Sequence, residues 1–78
     1  MNKSRRADVD KARSLMEEAL GLLESSSEAE REAFDNLNEG LAASESGLRL
    51  ESNAENLEEA KDEVESAIAA LDNIEGGE

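Results

Sequence analysis

A chain of 78 residues with net charge −13 and no Cys, His, Pro, Trp or Tyr is one domain at most, without disulfides, thiolate metal sites or imidazole chemistry. One Phe and an abundance of Ala, Leu and Glu argue against a β-rich domain and for helix. So short a chain has a marginal core, leaving regular helix packing or self-association to supply the stability.

The opening segment, MNKSRRADVDK, is basic, and no apolar stretch follows it as a secretion signal would require. Residues 1–13 carry five bases (Lys3, Arg5, Arg6, Lys11, Arg13) and two acids (Asp8, Asp10), a net +3. Residues 14–78 carry nineteen acids and three bases (Arg31, Arg49, Lys61), a net −16. Such a body repels nucleic acid and anionic lipid and attracts basic proteins. The basic start lacks aromatic partners for base stacking and is read as a terminus that pairs with acids of its own bundle. No apolar run is long enough to span a membrane.

Val9, Ala12, Met16, Ala19 and Leu23 form an apolar seam at heptad spacing, continued through Ser26 and Glu30 to Ala33 and Leu37. This predicts a first helix over about residues 6–37, weakened at Ser25, Ser26 and Ser27. Asn36, Asn38 and Gly40 are turn formers and predict a reversal over about 38–44. Leu41 and Leu48 are expected to fold back on Phe34 and Leu37 and close that end. Ser44 followed by Glu45 reads as an N-cap with an acid in the first turn. Leu50, Ala54, Leu57, Lys61, Val64, Ile68 and Leu71 repeat the heptad and predict a second helix over about 45–74. Gly76 and Gly77 are read as its C-terminal breakers.

The expected fold is all-α, a single antiparallel two-helix hairpin over 1–78. Its register sets Met16 near Leu71, Leu20 near Ala67, Phe34 near Ala54, and Lys61 in the seam near Ser26 and Glu30. The apolar stripe is wider at the open end than one partner helix covers. Leu15 and Leu22 on the first helix, with Ala67 and Ile74 on the second, therefore predict a homodimeric four-helix bundle or a docking surface.

Catalysis is not expected, because only carboxylates and hydroxyls are available and none sits in a catalytic context. No cofactor, metal or small-molecule ligand is expected either. A carboxylate-bridged bundle site needs Glu-x-x-His. Residues 35–40 resemble a calcium loop only in Gly40, since Leu37 and Ser46 stand where ligands are required.

The acids repay more attention. Glu51, Glu55, Glu59 and Glu63 recur every four residues, flanked by Glu58, Asp62 and Glu65. Glu24, Glu28 and Glu32 repeat the spacing on the first helix, with Asp35 next. Like charges so spaced destabilise a helix by roughly 0.2–0.5 kcal/mol per pair, so folding gains nothing from them. A ladder of carboxylates imitates a phosphate backbone. The competing reading is a solvated, solubility-promoting face.

Phe34-Asp35-Asn36-Leu37, Glu39-Gly40-Leu41, Ser44-Glu45 and Gly47, with the start Met1 to Arg6 and Asn56 to Ala60, resemble a family of small acidic helical proteins carried by bacterial phages, prophages and mobile elements. Asn38 stands where that family often has Pro, and Leu48-Arg49 where a charged helix start is usual. The resemblance implies a bacterial host cytoplasm and assigns no biochemical site. Combined with the ladder, it leads to an expected inhibitor of a host nucleic-acid-binding protein, such as a CRISPR effector or another defence nuclease. The alternative is an adaptor working through its apolar open end.

Overall fold

The computed structural model describes residues 2–74, in which the chain forms three helices and no strand. Helix α1 spans Lys3–Asp35, α2 spans Glu39–Ala42 and α3 spans Glu45–Asp72. The two long helices lie side by side, giving an elongated rod of 59 × 15 × 13 Å. No described helix is long and apolar enough to cross a membrane.

Each helix starts on a side-chain cap with extended backbone, which supplies an acceptor to a free N–H of the first turn. Asn2 Oδ1 accepts from the Arg5 N–H at 2.8 Å. Asn38 Oδ1 accepts from the Leu41 N–H at 2.9 Å. Ser44 Oγ accepts from the Gly47 N–H at 3.3 Å. These caps set the boundaries: α1 begins at Lys3 rather than near residue 6 because Asn2 caps it. It stops at Asp35 because Asn38 must be extended to cap α2. The predicted turn therefore contains a helical turn of its own. Helix α3 ends at Asp72 with Asn73 as its cap, and Gly76 and Gly77 lie outside the described residues.

The three serines do not interrupt α1. Ser27 is buried, and its hydroxyl donates to the Glu24 carbonyl at 3.1 Å, so it enters the interface with its hydrogen bond satisfied. Ser26, which the heptad placed in the seam, is exposed. On α3 the deepest side chain is Ala54, at 0% exposure, and no large side chain is fully buried. Small residues at the centre let the backbones approach, while Met16, Leu20, Leu23, Leu57, Val64, Ile68 and Leu71 stay half-buried along the seam.

The closed end differs from the expectation. Leu41 and Leu48 remain 53% and 55% exposed and do not plug it. Gly47 takes that role: it is buried, and a Cβ there would stand 2.4 Å from the Leu41 carbonyl oxygen and 2.5 Å from that of Ala42. Backbone rests on backbone, which only a residue without a side chain allows.

Two ion pairs cross between the long helices, Arg13 with Asp72 and Arg31 with Glu58. Both agree, to within two residues, with a register that sets Met16 opposite Leu71. The charges in the end turns of α1, Lys3, Arg5 and Arg6 at its start and Glu32 and Asp35 at its end, have the wrong sign for its own dipole. They suit the dipole of α3, which runs the other way beside it.

Candidate functional site

The seam separates two flanks of unlike chemistry. One is an open groove lined by Glu24, Ser27, Glu28, Arg31, Glu32 and Asp35 of α1 and by Glu58 and Lys61 of α3. The other is lined by Ser26, Ala29, Glu30, Asn53, Asn56 and Leu57. Lys61 therefore belongs to the first groove, and Ser26 and Glu30 to the second. The predicted polar trio does not line one groove, because the buried residue of α1 is Ser27. A slip of one residue turns a helix by roughly 100°.

Within the charged groove Arg31 is the hub. Its Nη2 donates to Glu58 Oε1 at 2.8 Å across the helices. This hydrogen bond, with the Glu58, Asp35 and Glu55 charges, holds the Arg31 guanidinium above its ordinary pKa. A raised pKa favours the folded state below the ordinary value and loses that benefit only at more alkaline pH, so Arg31 stays charged throughout the neutral and acid range. Lys61 is half-buried in the same groove. Sequence reasoning assigned neither base to the candidate site. The i, i+4 relation of Glu24 and Glu28, with Arg31 three residues on, was the available sign.

Of the predicted ladder, Glu24, Glu28, Glu32, Asp35 and Glu58 line this groove. Glu55 lies close enough to act on Arg31. The row Glu51, Glu55, Glu59, Glu63 is not a single face. Steps of four advance roughly 40° each around a helix, so the row winds through roughly 120°. Glu51 is half-buried, Glu55 lies on the groove side, and Glu59 and Glu63 turn progressively away from it. The row that keeps to the groove side alternates fours and threes: Glu51, Glu55, Glu58, Asp62, Glu65. On α1 the return step of three to Asp35 keeps Glu24, Glu28, Glu32 and Asp35 together. The charged flank thus carries two rows of carboxylates, one per helix, with Arg31 and Lys61 between them.

The predicted apolar contacts are distributed differently. Leu15 and Leu22 are 55% and 66% exposed on α1. Ala67 and Ile74 are half-buried, and Ile74 lines a small groove with Val9, Arg13 and Leu71 at the open end. Arg13 also lies 3.2 Å from Glu17 through its Nε, which makes no hydrogen bond. Among the described residues no group of three His, Cys, Asp or Glu side chains is placed to hold a metal ion.

No protein-family model, curated protein or solved structure matches this chain.

Proposed function

We propose that this is a non-enzymatic acidic interaction protein that occupies the nucleic-acid groove of a basic host protein. The observation that carries this reading is the pair of carboxylate rows, Glu24, Glu28, Glu32 and Asp35 on α1 and Glu51, Glu55, Glu58 and Asp62 on α3. Glu24, Glu28, Glu32, Asp35 and Glu58 line the charged groove, and helix periodicity keeps Glu51, Glu55 and Asp62 on the same side, along a rod 59 Å long. Packed helices lie about 8–10 Å apart, so the rows are separated by a distance of the order of a nucleic-acid groove width. A helical scaffold presents the charges already ordered, which lowers the cost of binding. The mobile-element resemblance supplies the context: the partner is a host defence nuclease or CRISPR effector, and the effect is inhibition. The protein acts in the host cytoplasm, without direct contact to nucleic acid, membrane or small molecule.

The test compares two sets of substitutions. Replacing Glu24, Glu28, Glu55 and Glu58 with Gln should abolish retention of basic nucleic-acid-binding proteins from a bacterial lysate, whereas Glu59→Gln with Glu63→Gln should leave most of it. Added duplex DNA should release the retained proteins, and retention should fall steeply with salt. Retention that survives the first set, or that ignores DNA, sinks the reading.

Leu15 and Leu22 support a second reading, self-association or adaptor docking through the apolar flank. In the homodimeric form two hairpins make a four-helix bundle, with the charged groove of each copy left open.

A further inference from the structure

We draw no further inference here: the strongest candidate, the exposed stripe of Leu15 and Leu22 on the side of α1 away from the charged groove, is an apolar face, and nothing in the structure shows what covers it.

Discussion

Gly47 meets the carbonyls of Leu41 and Ala42 at a distance that no side chain tolerates. The obstacle is backbone on both sides and cannot swing aside, so Gly47→Ala should cost about 1–3 kcal/mol by overpacking. Urea unfolding followed by circular dichroism would read this as a lower midpoint. In the sequence Gly47 fell in the first turn of the predicted second helix, and nothing there showed its role in closing the end. Close approach depends on where two backbones end up, and the turn motif describes only one of them. Ser27 offers the same lesson in smaller form. The heptad put a serine at the interface and missed by one position, because three adjacent serines look alike until packing selects the one whose hydroxyl can bond back to Glu24.

Among the elements, α1 carries an avoidable weakness. Gly21 lies in its interior and has nothing near the place a Cβ would occupy. Gly21→Ala should therefore stabilise the helix by about 0.5–1 kcal/mol, through the unfolded chain's smaller freedom and the better propensity of Ala. At the other extreme, Ser44→Ala removes the acceptor that starts α3 and should cost about 1 kcal/mol. Thermal denaturation of the two variants should move in opposite directions. The long helices were legible because the heptad repeats for many turns, and the Ser44 cap was legible from its neighbour Glu45. The short α2 was not, since four residues contain no period to detect. The acidic rows were half legible. Their residues could be named, yet only the rotation of the helix shows which acids share a flank, and the step of three that keeps Asp35 and Glu58 in the groove is easily read as a break in the pattern.

For the whole molecule two large terms oppose each other. A net charge of −13 on a rod this thin repels itself, and the interface that opposes it has no large side chain fully buried. Salt should therefore raise the melting temperature, in contrast to a protein held mainly by exposed ion pairs. The antiparallel arrangement and its register were open to sequence reasoning, as the pairs Arg13 with Asp72 and Arg31 with Glu58 indicate. The division of the surface into a charged flank and a small-residue flank was not, because it arises only when both helices are rotated into contact.

Because α1 and α3 are antiparallel neighbours joined through α2, Asn2 and Ile74 leave the rod at the same end. Tension between those two points would load the layers in series. The Arg13–Asp72 pair would part first, then the Arg31–Glu58 pair, and the seat of Gly47 on α2 last. The hairpin is therefore mechanically soft as a link in a stretched chain: it peels open layer by layer and zips shut again from the turn.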